Sequence, residues 1–145
     1  MSTLERAIAL AAQAHEGQVD KAGAPYILHP LRVMLRMTTT DERITAVLHD
    51  VVEDCGISLA TLRAAGFSET VLAAITAVTR QPAESYEDFV LRAAAHPVGR
   101  RVKIADLLDN SDLTRIAYPT ARDHERLEKY RRALATLQAM ESGPA

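Results

Sequence analysis

The chain has 145 residues, of which 48% are hydrophobic and 25% charged, and its formal net charge at pH 7 is −2. These values fit one globular domain with a single core, and they exclude a disordered chain or a strongly basic nucleic-acid-binding protein. One cysteine excludes an internal disulfide, and we expect a cytoplasmic protein that binds neither nucleic acid nor membrane, with an undetermined oligomeric state.

Capping residues and apolar residues at helical spacing divide the first third of the chain into helices. Residues 2–5 have the spacing of a capping box, and the helix that they open is expected to stop at Gly17. Pro30 suits the first turn of a second, short helix. A further capping box over residues 39–42 predicts one continuous helix through about Asp54.

The rest of the chain is also predicted to be helical. Ser58, Ser68 and Ser85 are expected to begin three helices, and two more are predicted over about 98–113 and 120–140. The basic side chains of the last helix are expected to form a solvated face. The fold class predicted for residues 1–145 is therefore a single all-α domain, a bundle of about seven or eight helices, with a disordered tail over about 141–145.

Residues 46–54 combine an aliphatic run with four ionisable side chains. At 100° per residue, His49, Asp50, Glu53 and Asp54 fall within one wedge of about 140° on a continuous helix. Buried carboxylates need charge compensation, and a divalent cation supplies it. The alternative is a partly exposed helix end at which the acids cluster, although the negative end of the helix dipole disfavours acids there.

Two other segments carry residues of types that can ligate metals. His29 precedes Pro30, where it could also be a cap or surface residue, and Asp106 lies among apolar residues, where a salt bridge to Lys103 is the simpler explanation. Mixed imidazole and carboxylate ligands suit Mn²⁺, Fe²⁺ or Zn²⁺ and leave coordination positions free, which is typical of a catalytic site. We call the following residues the ligand set: His29, His49, Asp50 and Asp106.

The order of the ligand set on a helical background resembles the HD-domain metal-dependent phosphohydrolases. The resemblance is narrower than that, because residues 14–18, 23–30, 49–54 and 103–110 resemble the hydrolase domain of RelA/SpoT proteins and the stand-alone small alarmone hydrolases. It implies a Mn²⁺-dependent enzyme, with another divalent metal as an alternative cofactor. The implied reaction removes the 3′-diphosphate from the nucleotides ppGpp and pppGpp.

The resemblance also implies roles for individual residues. The ligand set would hold the metal, Glu53 and Asp54 would be the catalytic acidic pair at the attacking water, and Asn110 would contact the nucleotide. Lys21 is our candidate for a cation that binds the substrate's phosphoryl oxygens, although a lysine in this loop could equally be solvated.

Three positions depart from the family pattern. Asp20 stands where an arginine that stacks on guanine is common, Leu107 where a basic residue is usual, and Leu113 where a polar residue is common. These departures leave two alternatives to ppGpp hydrolysis. One is an HD phosphohydrolase that acts on a different nucleotide or phosphoester, and the other is a non-catalytic domain that binds metal or nucleotide.

Overall fold

The structure, a computed structural model, describes residues 2–142. Within that range the only extended pairing is an isolated bridge between Val19 and Pro25, so the all-α prediction is confirmed. The helices are α1 Leu4–Ala14, α2 Leu28–Leu35, α3 Thr40–Leu48, α4 Val51–Cys55, α5 Leu59–Ala64, α6 Glu69–Ala77, α7 Tyr86–Ala94, α8 Pro97–Asn110 and α9 Ala121–Glu141, with a 3-10 helix at Leu113–Arg115.

Side-chain caps fix where most of these helices begin. Ser58, Ser68 and Ser85 each accept a hydrogen bond from the backbone N–H three residues later, as predicted. Thr39 forms the complete capping box of α3. At the start of α1 the N-cap is Thr3, whose hydroxyl accepts from the backbone of Arg6.

The prediction of one continuous helix through Asp54 is wrong. Helix α3 ends at Leu48, His49 and Asp50 form a turn, and the one-turn helix α4 follows until Gly56, which ends it in a left-handed conformation at φ 69°. Glu53 and Asp54 therefore lie in the first turn of a new helix, where the dipole favours acids. All eight predicted helices are present, and this one is divided in two.

Helix α3 lies at the centre of the bundle and packs against α1, α2, α6 and α8. Its buried residues Val47 and Leu48 belong to the main core, which also contains Val33 of α2 and Val102 of α8. A smaller core joins α7, α8 and α9. Since α2, α3 and α8 also carry the ligand set, the main core fixes their spacing.

Helix α9 continues to the beginning of the predicted disordered tail. Glu141 is its last residue, and its carboxylate binds Arg100 and also accepts a hydrogen bond from Arg101 at 3.0 Å. Residues 143–145 of the predicted tail lie outside the described residues. No helix between residues 2 and 142 is both long and apolar enough to cross a membrane.

An ion pair between the buried Glu42 and the exposed Arg101 joins α3 to α8. The Glu42 side chain closes the α3 capping box, and its other oxygen accepts from Arg101 at 2.7 Å. Burial alone would raise the pKa of Glu42, but Arg101 and the backbone N–H groups of Thr38 and Thr39 outweigh it and lower the pKa to about 2.

We expect Glu42→Gln to lower the free energy of unfolding at pH 7 by about 2 kcal/mol, because a neutral amide cannot replace the charge-assisted bond to Arg101. Ionised Glu42 stabilises the fold above its unfolded pKa of 4.5, and this contribution is lost as the pH falls towards 2. Denaturant unfolding between pH 7 and 2.5 should therefore show a shallower acid loss in the variant. Equal slopes in the two proteins would contradict this role for Glu42.

Candidate metal centre

The ligand set comes together from three parts of the bundle. His29 lies in the first turn of α2, His49 and Asp50 form the turn between α3 and α4, and Asp106 lies within α8. The ligand atoms of His29, His49 and Asp50 are all within 4.8 Å of one another. The structure thus brings together residues that are up to 77 positions apart in sequence.

The separations of these atoms match the edges of a metal coordination shell. His29 Nε2 lies 3.0 Å from Asp106 Oδ1 and 3.6 Å from Asp50 Oδ2. His49 Nε2 lies 3.1 Å from Asp50 Oδ2 and 3.4 Å from Asp106 Oδ1. Ligands about 2.1 Å from one ion are separated by about 3.0 to 3.4 Å for octahedral or tetrahedral angles, so the four side chains fit a divalent metal.

The orientation of His49 also fits a metal. Its Nδ1 lies 2.6 Å from the carbonyl oxygen of Ala46, which fixes the ring proton on that nitrogen. Its Nε2 is buried and has no assigned hydrogen bond, although carboxylate oxygens of Asp50 and Asp106 lie 3.1 and 3.4 Å away. A buried lone pair aimed between two carboxylates is a position for a cation.

His29 is held by a residue to which the sequence analysis gave no role. Asp109 Oδ2 lies 2.6 Å from His29 Nδ1, and Arg32 binds both Asp109 oxygens at 2.7 and 3.1 Å. Burial lowers the pKa of His29, but the hydrogen bonds with Asp106 and Asp109 outweigh it and raise the pKa. Asp109 lies one turn after Asp106 on the same face of α8, which was the available sequence signal.

The salt bridge to Lys103 that the sequence suggests for Asp106 involves only one of its two carboxylate oxygens. Lys103 donates to Asp106 Oδ2 at 2.8 Å, as a salt bridge requires. Asp106 Oδ1 instead faces both histidines and accepts from Asn110 at 3.1 Å. Burial opposes ionisation of Asp106, but Lys103 and the two histidines hold its pKa well below its ordinary value.

The acidic pair lies beside the ligand set, closer to solvent. Carboxylate oxygens of Glu53, Asp54 and Asp50 are within 4.8 Å of one another, and both members of the pair are exposed. Glu53 accepts from the backbone N–H of Arg80 at 3.0 Å. Although the residue is exposed as a whole, partial burial of its carboxyl group, followed by the charges of Asp50 and Glu53, raises the pKa of Asp54 to about 6, which suits a group that exchanges protons near neutral pH.

A cleft of about 450 Å³ adjoins this centre. Tyr26 and Asn110 line it and also reach the ligand set, since Tyr26 donates to Asp50 Oδ2 at 2.6 Å and Asn110 donates to Asp106. Lys21 lines the cleft as well, together with Arg126 of α9. Arg126, expected to lie on a solvated face of α9, therefore also lines the cleft, where it pairs with Asp123.

The structure accounts for two of the departures from the family pattern. Asp20 Oδ1 accepts from the backbone N–H groups of Ala22 and Ala24, so this acid holds the Lys21 loop in shape. Leu107 is 1% exposed and packs with Leu134 of α9 in the smaller core, away from the cleft lining. Leu113 does line the cleft and makes that part of its wall apolar.

Comparison with known proteins assigns the chain to a family. A family described as the HD domain matches residues 7–140, a range that contains the whole ligand set. The chain belongs to the HD domain family. The matched range also includes Lys21, Glu53, Asp54 and Asn110.

Several curated relatives of this HD domain are named for alarmone chemistry. The guanosine-3′,5′-bis(diphosphate) 3′-pyrophosphohydrolase of Aquifex aeolicus is 32% identical over 119 residues, which are 74% of this chain and 17% of the relative. The bifunctional (p)ppGpp synthase/hydrolase RelA of Mycobacterium tuberculosis is 46% identical over 61 residues, 39% of this chain and 8% of the relative. This HD domain thus spans at most about one sixth of the length of these two relatives.

A solved structure has the same fold. The metazoan orthologue of SpoT, described as hydrolysing ppGpp, matches this HD domain with a TM-score of 0.78, covering 100% of this chain and 89% of that one. The identity is 21%, so the likeness concerns the fold alone.

We expect the HD domain to bind Mn²⁺ and to lose it as the pH falls below neutral. Burial is outweighed by neighbouring aspartates, so the pKa of both His29 and His49 is raised in the metal-free protein, and each must give up a proton to coordinate. Affinity measured by calorimetry should fall by up to about tenfold per pH unit for each proton displaced. An affinity that does not change between pH 8 and 5 would contradict histidine ligation.

Proposed function

We propose that this HD domain is a metal-dependent pyrophosphohydrolase that removes the 3′-diphosphate from ppGpp and pppGpp. The observation that carries the proposal is the meeting of two imidazole nitrogens and two carboxylate oxygens at 3.0 to 3.6 Å beside an acidic pair and a cleft. The names of the curated relatives support the substrate.

The ligand set would hold the metal, for which we propose Mn²⁺. When bound, a divalent metal lowers the pKa of water and offsets charge on phosphoryl oxygens. Two histidines and two aspartates leave coordination positions for water and substrate on an ion with six ligands. Tyr26 would hold Asp50 in its ligating orientation through its 2.6 Å hydrogen bond.

Glu53 and Asp54 would orient the attacking water and accept its proton. With a pKa of about 6, Asp54 is mostly ionised at pH 7.5 and can both take up and release a proton. Glu53 is anchored to the backbone N–H of Arg80, which restrains its carboxylate next to Asp54. The two acids would therefore keep water aligned at the phosphorus atom.

The cleft would bind the rest of the nucleotide. Lys21 offers a cation to phosphate groups, and two further basic residues of the wall, Arg115 and Arg126, are paired with Asp112 and Asp123. After burial, the charge of Arg126 contributes to the lowered pKa of Lys21. Asn110 would contact the nucleotide while it holds Asp106 Oδ1. The binding of a small nucleotide does not require a membrane or a nucleic acid, and a cytoplasmic location remains our prediction.

A different nucleotide or phosphoester is the second candidate substrate. The observation that favours it is the acidic part of the cleft wall, where Asp20, Asp112 and Asp123 lie beside the cations. These carboxylates would disfavour a ligand with many phosphates, and Asp20 cannot stack on a base as an arginine does. A non-catalytic role would not require Glu53 and Asp54 at the centre.

We expect the purified protein with Mn²⁺ to release diphosphate from ppGpp, and we expect Asp50→Ala and Glu53→Gln each to lower kcat/KM by at least about 10³-fold. Asp50→Ala removes a metal ligand, whereas Glu53→Gln leaves the ligand set intact. Initial rates should be measured by anion-exchange separation of the products. Glu69→Gln is the control, because its exposed pair with Arg63 lies outside the site.

A panel of other nucleoside phosphates tests the second candidate in the same assay. Turnover of those compounds without turnover of ppGpp would contradict the alarmone assignment and support another phosphoester. Mn²⁺ binding without turnover of any compound in the panel would favour a non-catalytic domain.

We expect Lys21→Gln to raise KM for ppGpp about tenfold and to change kcat much less, because the lysine faces the cleft and does not touch the ligand set. The wild-type KM should also rise with salt, since a cation near the surface is screened. Steady-state kinetics at 50 and 300 mM NaCl provide both measurements. A KM unaffected by the substitution would mean that Lys21 is only a solvated loop residue.

A further inference from the structure

Asp109 is a buried carboxylate outside the ligand set. It is 3% exposed, and its neighbours are His29 and Arg32 of α2 and the side chain of Arg115, 3.6 Å away. Arg32 donates to both Asp109 oxygens at 2.7 and 3.1 Å, the two-bond geometry in which arginine binds an ionised carboxylate. A buried, ionised side chain with this many partners has a defined orientation.

Asp109 acts on the nitrogen of His29 that faces away from the ligand set. His29 Nδ1 lies 2.6 Å from Asp109, while His29 Nε2 faces Asp106 and Asp50 at 3.0 and 3.6 Å. A neutral imidazole carries one proton, so a proton donated from Nδ1 to Asp109 leaves the lone pair on Nε2. An ionised acceptor also makes that lone pair more basic.

The two histidines of the ligand set are therefore supported differently. His49 Nδ1 faces the uncharged carbonyl oxygen of Ala46, which belongs to its own helix. His29 Nδ1 faces a carboxylate from α8, the helix that also carries Asp106. Arg32 lies one turn after His29 on α2 and fixes both oxygens of Asp109, so the acceptor is itself held in place.

We propose that Asp109 is a positioning residue of the metal centre, which holds His29 in its Nδ1–H form with Nε2 directed at the metal, and that Arg32 is its counter-ion. The role rests on the metal centre of the proposed function but not on the substrate. It also links α2 to α8, so the distance between His29 and Asp106 depends on the same carboxylate.

The test is the Mn²⁺ affinity of Asp109→Asn, measured by calorimetry on the metal-free protein at pH 7.5. The neutral amide oxygen is a weaker acceptor for His29, and the NH2 group then replaces the oxygen that accepts from Arg32 Nε. We therefore expect affinity to fall by about 10- to 100-fold. Arg32→Gln should cause a smaller loss, since it frees the carboxylate to rotate. The side chain of Arg32 is 31% exposed, so Arg32→Gln disturbs the fold less and provides the test if Asp109→Asn does not fold.

A matched control separates positioning from general stability. Glu42→Gln removes the charge of another carboxylate that is 3% exposed and accepts from an arginine, Arg101 at 2.7 Å, with no histidine attached. It should leave Mn²⁺ affinity unchanged. In Zn²⁺-loaded protein labelled with ¹⁵N-histidine, the Nδ1–H signal of His29 should move upfield in Asp109→Asn, a change that a purely structural role would not produce.

Mn²⁺ affinities of Asp109→Asn and Arg32→Gln within about twofold of the control would overturn the proposal, whatever their unfolding midpoints. So would an unchanged Nδ1–H signal in Asp109→Asn. Mn²⁺ binding that depends on Asp109 in a protein that does not hydrolyse ppGpp would support this role and contradict only the proposed function.

Discussion

The structure depends on compensating the charge of three aspartates that the bundle brings together. Asp50, Asp106 and Asp109 surround two buried imidazoles, and like charges at such distances repel strongly where water is scarce. Lys103 and Arg32 supply two fixed cations, each bound to one of the aspartates. Arg115 also approaches Asp109, at 3.6 Å, but it pairs more closely with Asp112, at 3.0 Å. With neutral histidines, one negative charge is then in excess before the acidic pair is counted, and a divalent cation between the imidazoles would offset it.

The turn at His49 and Asp50 is the second feature that determines the geometry of the candidate metal centre. A continuous helix would have carried the run from His49 to Asp54 along one wedge of a single cylinder. The turn instead separates two groups that share Asp50, one with the histidines and one with Glu53 and Asp54. Under the proposed function, division of the run would let one segment of six residues contribute both to holding a metal and to orienting water.

The tertiary structure explains two of the positions at which the sequence departs from the family pattern. Leu107 points into the contact between α8 and α9, so a basic residue there would be buried in an apolar cluster. Asp20 organises the loop that presents Lys21. Of the three departures, Asp20 and Leu113 line the cleft, and they would affect which substrate it accepts.

The sequence by itself indicated where most of the helices lie and which residues are candidates for the ligand set, because caps and apolar spacing act within a few residues and because ligand chemistry belongs to residue types. It also supplied the acidic pair and Lys21 as candidates. Only the tertiary structure decided that Asp109 and Arg32 support His29, that Tyr26 reaches Asp50, and that Arg126 enters the cleft. Each of these contacts joins distant segments, so its geometry follows from how α2, α8 and α9 pack and not from any local pattern.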